Sequence, residues 1–476
     1  MFYFLDPFGC AKNQVDAEIM AARLNKAGWA GTDDPDGADL IIVNSCGFIE
    51  AAKRESINAV LAWKKQYPEK KILLAGCLTQ RYRSELEENL TEADGFAGCD
   101  DLDRVPERAA EIFQEDLIKP AKSGTQSSAA PAFGPPAESG AVLSSDRGLR
   151  PLLGFPGSAY VKISEGCSNR CSFCAIPLIR GPLRCRVIPD IVEECKQLLD
   201  RGVKEICLIG QDLASYALTA GGTAKGISAL ASLLEAIAGL TGDFWIRLLY
   251  LHPDHFPLDI LDITARDRRF LPYFDIPFQH ASFRILSFME RSGSGETYLR
   301  LLDRIRSRIP DAVIRSTFLV GFPGETEEDF ETLLAFQQQA RFDWLGVFAW
   351  SREEGTAAYS FKGRVSKKTA ARRKALIEEQ QVSITEEKMN RFVGRNLDVL
   401  VEEELADTPD PGNSAHESSA SSLWLGRFFL QAPEVDGAAV IRTVPAAGIP
   451  ALKPGALIRG TVQARRGFDL EVLVQQ

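Results

Sequence analysis

The sequence predicts an α/β protein in three parts: an N-terminal doubly wound parallel-sheet domain, a central partial or full (β/α) barrel, and a small C-terminal β-barrel. Three patterns lead there. Strand and helix signals alternate over residues 1–118, the alternation recurs on a larger scale over 152–390, and short apolar runs separated by Gly and Pro fill 391–476. At 476 residues the chain has room for about three domains.

In the first part Tyr3–Leu5 reads as a short strand. Val15–Ala27 reads as a helix, with Val15, Ile19 and Ala22, then Met20, Leu24 and Ala27, at helical spacing, and Gly28 ends it. Leu40–Asn44 is a second strand, Ala51–Lys65 a second helix and Lys71–Ala75 a third strand. Residues 119–151 read as a flexible linker. Ala, Ser, Gly and Pro hold 18 of the 25 positions from 121 to 145, too little apolar surface to offset the entropy of ordering. The central strands are Tyr160–Ile163, Glu205–Ile209, Trp245–Leu251, Phe274–Ile276, Val313–Val320 and Leu345–Ala349. One intervening helix has Ile191, Val192, Cys195, Leu198 and Leu199 on one face and stops at Gly202. Parallel strands each followed by a helix put chemistry at the strands' carboxyl ends. In the last part Leu397–Val401, Ala438–Ile441, Leu457–Val462 and Leu470–Val474 are strand-like, with a low-complexity insert over 408–422.

Composition narrows the class. Hydrophobic residues at 45% and charged residues at 25% exclude a collagen-like or wholly disordered chain. No apolar run approaches the ~18 residues a membrane helix needs. The start, Met1-Phe-Tyr-Phe-Leu-Asp6, lacks the basic head and apolar stretch of a signal peptide. A cytoplasmic protein without a membrane partner is expected. With 55 Lys+Arg against 65 Asp+Glu the net charge is −10, which argues against a broad nucleic-acid clamp and favours a basic partner. Ten cysteines are far too few for a disulfide scaffold, so in a reducing compartment they are thiols, metal ligands or catalytic groups.

Six of them form two groups. Gly166-Cys167-Ser-Asn-Arg-Cys171-Ser-Phe-Cys174 places three thiolates in one compact loop directly after the first barrel strand. Such a loop can hold three irons of a 4Fe–4S cube and leave the fourth open to a reactant. A structural zinc site would pair two short spacings, and no second pair follows. The other group is dispersed. Cys10, Cys46 and Cys77 follow the three N-terminal strands by a few residues, so a parallel sheet gathers them along one edge, beside Gly9, Gly47 and Gly76. From geometry alone this is a second metal or cluster site, a set of buried structural cysteines, or a redox pair.

The Cys167–Cys174 pattern resembles the signature of radical S-adenosylmethionine enzymes. Gly9-Cys10-Ala-Lys-Asn-Gln-Val-Asp16, Val43-Asn-Ser-Cys46-Gly-Phe-Ile49 and Ala75-Gly-Cys77-Leu-Thr-Gln-Arg81 resemble the N-terminal domain of the methylthiotransferases among them, and 391–476 resembles their TRAM domain. Lys12-Asn13, Cys174-Ala-Ile-Pro-Leu-Ile-Arg-Gly-Pro182, Trp245-Ile-Arg-Leu-Leu-Tyr-Leu-His-Pro253, Asp275-Ile-Pro-Phe-Gln-His280 and Ala432-Pro-Glu-Val-Asp-Gly437 look like the branch that modifies a ribosomal protein. The resemblance implies two 4Fe–4S clusters, on Cys167, Cys171 and Cys174 and on Cys10, Cys46 and Cys77. It implies hydrogen abstraction by a 5′-deoxyadenosyl radical, sulfur insertion at the β-carbon of an aspartate in small-subunit ribosomal protein twelve, and methyl transfer from a second S-adenosylmethionine. An electron donor and a sulfur donor are required, and nucleic acid is met only through the ribosome. The alternatives are the same chemistry on a tRNA adenosine, or a non-catalytic iron–sulfur module that binds ribosomes. From Arg391 onward eight basic residues face eleven acidic ones, a balance unhelpful for holding tRNA phosphates.

Lesser expectations complete the reading. Gly210-Gln211-Asp212 at one strand end, and Arg315 and the Gly321-Phe-Pro-Gly324 turn at or near another, are candidate S-adenosylmethionine contacts; Arg315 could equally pair with a buried carboxylate. His280 faces either the site or a neighbouring helix, and His252, His255 and His416 carry no motif. Lys204-Glu205 and Glu402-Glu403-Glu404 read as solvated charge, and Trp424, Phe428, Phe429 and Phe468 as core. Cys185 stands where the family usually has Ser, Ala17 where it has Ser, and Asp6-Pro7-Phe8 precedes Gly9 atypically.

Overall fold

The computed structural model describes residues 1–114, 147–217, 227–405, 422–443 and 452–474. The Ala/Ser/Gly/Pro stretch at 121–145, all of the 408–422 insert but Ser422, and His416 with it lie outside them. The chain divides into two compact units. One holds Met1–Leu153, Ser164–Ser168 and Ala175–Glu194, the other Gly154–Ile163, Asn169–Cys174 and Cys195–Gln476.

The first unit begins with β1 (Phe2–Pro7), α1 (Ala11–Lys26), β2 (Ala30–Gly31), β3 (Leu40–Ser45), α2 (Glu50–Gln66), β4 (Lys71–Gly76), α3 (Cys77–Asn89), β5 (Gly95–Ala97) and α4 (Val105–Gln114). The strands are parallel, in the order β2-β1-β3-β4-β5. β3 is buried along its length because its alternate residues serve two cores. Leu40 and Ile42 pack with Met20 and Leu24 of α1 and Ala109 and Ile112 of α4, while Ile41 and Val43 pack with Val60 of α2 and Leu78 of α3. Helices on both faces leave the strands' carboxyl ends, around the reversal of order between β1 and β3, as the place for a ligand. β2 and β5 had no counterpart in the sequence reading, because runs of two and three residues leave no periodic pattern. α1 starts at Ala11, four residues before the expected Val15, because Cys10 takes the N-cap position.

After β6 (Ser158–Lys162), which belongs to the second unit, the chain gives the first unit β7 (Ser164–Glu165), α5 (Ile176–Arg180) and β8 (Arg184–Cys185), with β7 and β8 antiparallel. α6 (Ile188–Asp200) follows.

In the second unit β6 is joined by β9 (Glu205–Ile209), β10 (Trp245–Leu248), β11 (Phe270–Asp275), β12 (Val313–Val320) and β13 (Trp344–Ala349) in one parallel sheet whose strands run in sequence order. Its helices are α7 (Ala229–Ala238), α8 (Ile260–Arg266), α9 (Phe283–Phe288), α10 (Gly295–Arg308), α11 (Glu327–Ala340) and α12 (Lys367–Asn390). Among the described residues the sheet stays open at six strands, so the barrel is partial. β14 (Asn396–Leu405), β15 (Leu423–Phe428), β16 (Ala439–Thr443), β17 (Leu457–Arg466) and β18 (Asp469–Val474) close into the small barrel. β15 escaped the sequence reading; it starts directly after the insert, and Gly426 interrupts its apolar pattern. Trp424 and Phe428 are core as expected, whereas Phe429 is half-buried and Phe468 is exposed.

The small barrel is fastened to the amino ends of the larger barrel's strands. Glu205, the first residue of β9, is fully buried and accepts from Arg247 of β10 at 2.7 Å and from Arg427 of β15 at 2.6 Å. Arg427 also pairs with Glu402 of β14, and Trp344, the first residue of β13, donates to the Leu430 carbonyl at 2.7 Å. Glu205 and Glu402 are therefore not the solvated charge that their sequence context suggests: buried guanidiniums hold them inside. Burial opposes the Glu205 carboxylate, but Arg427 and Arg247 outweigh it and hold its pKa at about 2. No helix among the described residues is long and apolar enough to cross a membrane.

Candidate metal centres

β1, β3 and β4 are neighbours, so the residues after their carboxyl ends share one edge. Cys10 comes three residues after β1 as the N-cap of α1, Cys46 directly follows β3, and Cys77 directly follows β4 as the first residue of α3. The Cys10 and Cys77 thiols both reach Asn13 Oδ1, at 3.5 and 3.6 Å, and Cys46 is near enough to both to feel their charge. Asn13 is pinned in turn: its Nδ2 donates to the Ser45 carbonyl at 2.8 Å, and its own carbonyl accepts from Asn44 Nδ2 at 2.6 Å. Gly47 lets the Cys46 and Cys77 loops meet, since a Cβ there would stand 2.6 Å from the Cys77 carbonyl oxygen.

A buried cation attends these sulfurs. Arg180, 3% exposed, donates to Cys77 Sγ at 3.2 Å and to Asn13 Oδ1 at 3.3 Å, and is balanced by Asp16 at 2.8 Å and Glu165 at 2.9 Å. Cys99, two residues beyond β5, brings a further sulfur to 3.7 Å from that of Cys77. Its hydrogen bond, aided by the Arg180 charge, draws Cys77 down to about 6, whereas burial pushes Cys46 up to about 11. Among the described residues no three His, Cys, Asp or Glu side chains are gathered tightly enough to hold a single metal ion. Three soft thiols, a guanidinium to offset thiolate charge and a close approach that only Gly47 permits fit an iron–sulfur cluster. Gly47→Ala is expected to drive the two loops apart and to lower the iron bound per chain by about half, as measured by anaerobic iron analysis. Unchanged iron would mean the two loops need not touch.

The Cys167–Cys174 loop is built differently. Gly166 has φ of 72°, and a Cβ there would lie 2.2 Å from the Pro182 carbonyl oxygen, so the residue before Cys167 has to be glycine. The Cys167 N–H donates to the Gly181 carbonyl at 3.1 Å. Further on, the Cys174 N–H closes a turn onto the Cys171 carbonyl at 3.0 Å, and Ser172 is held through its N–H by the Met289 carbonyl at 3.1 Å and through its Oγ by the Phe288 carbonyl at 2.6 Å. Arg291, 7% exposed, hydrogen-bonds Cys171 while donating to the Pro277 carbonyl at 2.7 Å. A buried cation thus stands at Cys171 as Arg180 does at Cys77. Cys185 lies opposite Ser164 in the β7–β8 pair.

The candidate S-adenosylmethionine contacts are placed as follows. Gly210 and Gln211 follow the carboxyl end of β9, and Gly321 follows that of β12. The turn after Gly321 is fastened by Glu325, which accepts from the Phe322 N–H at 3.0 Å and pairs with buried Arg373 at 2.7 Å. Arg315 is the third residue of β12, and its guanidinium lies between Asp275 at 3.2 Å and Asp436 of the small barrel at 3.4 Å. His280 is fully buried; its Nδ1 accepts from the N–H of Ser282, the N-cap of α9, at 3.0 Å, and burial lowers its pKa to about 3.

Several residues at these sites are joined by partners distant in sequence. Asp212, next to Gln211, accepts from Asn169 of the cysteine loop at 2.8 Å, from Ser215 at 2.5 Å and from His255 at 2.7 Å, and the His252 and His255 rings stack at 4.6 Å. Burial alone would raise the Asp212 pKa, but the His255 bond and charge hold it far below the usual carboxylate range. Arg180 and Asn13 stood inside stretches noted for their resemblance, yet nothing local marks either as a partner of Cys77. Ala17 precedes Glu18, which is held by buried Arg150 at 2.8 Å.

Comparison with known proteins identifies the family. A model described as uncharacterized protein family UPF0004 matches residues 3–98, and the radical SAM superfamily model matches 161–336. A protein of Treponema denticola named ribosomal protein uS12 methylthiotransferase RimO is 47% identical over 98% of this chain and 100% of its own. Proteins of the same name from Aquifex aeolicus (38% identical; 97% of this chain, 94% of theirs) and Natranaerobius thermophilus (39%; 91% and 91%) are also similar. Among solved structures, the radical S-adenosylmethionine methyltransferase TsrM from Kitasatospora setae, with cobalamin and a 4Fe–4S cluster bound, shares the fold: TM-score 0.52 and 16% identity over 75% of this chain and 73% of that one. The superfamily brings with it one 4Fe–4S cluster and S-adenosylmethionine. A likeness that spans nearly the whole chain and includes both cysteine groups shows that the chain belongs to the RimO family of radical S-adenosylmethionine methylthiotransferases.

Proposed function

We propose that this protein methylthiolates the β-carbon of an aspartate in ribosomal protein uS12, in the cytoplasm. Cys167, Cys171 and Cys174 hold the cluster at which S-adenosylmethionine is cleaved, and Cys10, Cys46 and Cys77 hold a second 4Fe–4S cluster. When bound, the two clusters supply the electron for reductive cleavage and the sulfur for insertion. Two S-adenosylmethionine molecules are used per turnover, one as radical source and one as methyl donor. An electron donor and a sulfur donor come from outside the chain, and nucleic acid is met only through the ribosome.

The chain's own residues bind and orient. Gly210, Gln211 and the Gly321 turn are proposed to contact S-adenosylmethionine; Arg315, engaged by Asp275 and Asp436, fixes the adjoining strands in place. Asp212 steadies the cysteine loop through Asn169, and Arg291 and Arg180 offset thiolate charge in a poorly solvated setting. Residues 1–118 are assigned sulfur supply, 152–390 radical generation and 391–476 substrate docking. The observation that carries this reading is the convergence of Cys10, Cys46 and Cys77 beside a buried guanidinium, in a chain that also has the Cys167–Cys174 loop. The test is the mass of uS12 from a strain lacking the gene. It is expected to be lighter than wild type by one methylthio group; an unchanged uS12 with altered tRNA nucleosides would overturn the substrate.

A further inference from the structure

The edge that gathers Cys10, Cys46 and Cys77 has a fourth sulfur that neither the cluster reading nor the resemblance uses. Cys99 follows β5, the strand next to β4, and its Sγ lies 3.7 Å from that of Cys77. Phe48, Ala175 and Ile179 pack around the two. Two ligands of one cube sit on different irons, so sulfurs in van der Waals contact are not a ligand pair for the same cluster. They are instead one short movement from a disulfide, whose sulfurs stand about 2.0 Å apart.

We propose that Cys99 and Cys77 form a reversible disulfide whenever the second cluster is absent, and that this disulfide closes the site to iron. The reaction needs an oxidant of the low-molecular-weight disulfide class, RSSR. Cys77, whose sulfur accepts the Cys99 hydrogen bond, attacks as thiolate and forms Cys77–S–SR, releasing RS⁻. The Cys99 thiol then gives up its proton and attacks the Cys77 sulfur, the S–SR bond breaks, and a second RS⁻ leaves. Two protein thiols lose two electrons in all, RSSR gains them, and the two protons finish on two RSH. A dithiol reductant reverses both steps. The disulfide rests on the 3.7 Å contact alone; its effect on iron rests on Cys77 as a ligand, as argued above.

The test uses the full-length chain, stripped of iron by a chelator, treated anaerobically with glutathione disulfide and then alkylated. Trypsin places Cys77 in the peptide 72–81 and Cys99 in 84–104, so the cross-link is directly visible by mass spectrometry. A 72–81/84–104 cross-link is expected, absent from both Cys99→Ser and Cys99→Ala and removed by dithiothreitol. On reconstitution the oxidised chain should take up about four iron atoms, and the reduced chain or either variant about eight. No cross-link, or one joining Cys77 to Cys10 or Cys46, overturns the pairing. A cross-link that leaves iron uptake at about eight overturns the block and with it Cys77 as a ligand, whereas a reduced chain that binds only about four refutes the second cluster itself.

Discussion

Cys171→Ala is expected to reduce 5′-deoxyadenosine formation to the level of a protein-free control. Three thiolates from one loop hold three irons, and with one removed the remaining two cannot fix a cube with a single open position. The surroundings of Cys171 are structured. Arg291 reaches its sulfur from a buried position, and Ser172 beside it is tied to the carbonyls of Phe288 and Met289. Cys185→Ser is the matching control: it restores the family's usual residue at a position paired with Ser164, and should leave product formation unchanged. The measurement is 5′-deoxyadenosine released from reconstituted enzyme, S-adenosylmethionine and dithionite. Undiminished product from Cys171→Ala would remove the residue from the site.

Glu205→Ala is expected to lower stability by about 3–5 kcal/mol, the cost of breaking a buried ion pair from one side. The alanine leaves two guanidiniums, Arg247 and Arg427, inside the protein without the carboxylate that both use. The readout is the denaturant midpoint at unchanged slope. The same network gives a pH dependence. Glu205 is held at about 2, below the ~4.3 of an unfolded glutamate, so its contribution is complete above about pH 4.3 and is lost as pH falls toward 2. Glu402, pushed up by burial, protonates first and loosens the Arg427 end of the network before the Arg247 end. A midpoint within error of wild type would show that the two barrels do not depend on this contact.

Where local pattern decides structure, the sequence was a good guide. β3 and β4 are continuous apolar runs because both faces are covered, and the Cys167–Cys174 spacing is itself the loop. Cys10, Cys46 and Cys77 became a candidate site only once parallel strands placed them at one edge, an inference from topology. What stayed hidden were partners distant in sequence. Arg180 lies 103 positions from Cys77, Arg427 lies 222 from Glu205, and Glu205 beside Lys204 looks like surface until both guanidiniums are in place. Cys99 was passed over because β5, the strand that delivers it, is three residues long. His255 has no motif because its partner Asp212 belongs to another strand end.

The central claim is that one chain carries two cubes, each held by three cysteines. Anaerobic iron and acid-labile sulfide analysis of the reconstituted full-length protein tests it most directly. The account predicts about eight of each per chain, falling to about four when Cys10, Cys46 and Cys77 are replaced together. About four in the unaltered protein, or zinc in place of iron at the Cys167–Cys174 loop, would contradict it.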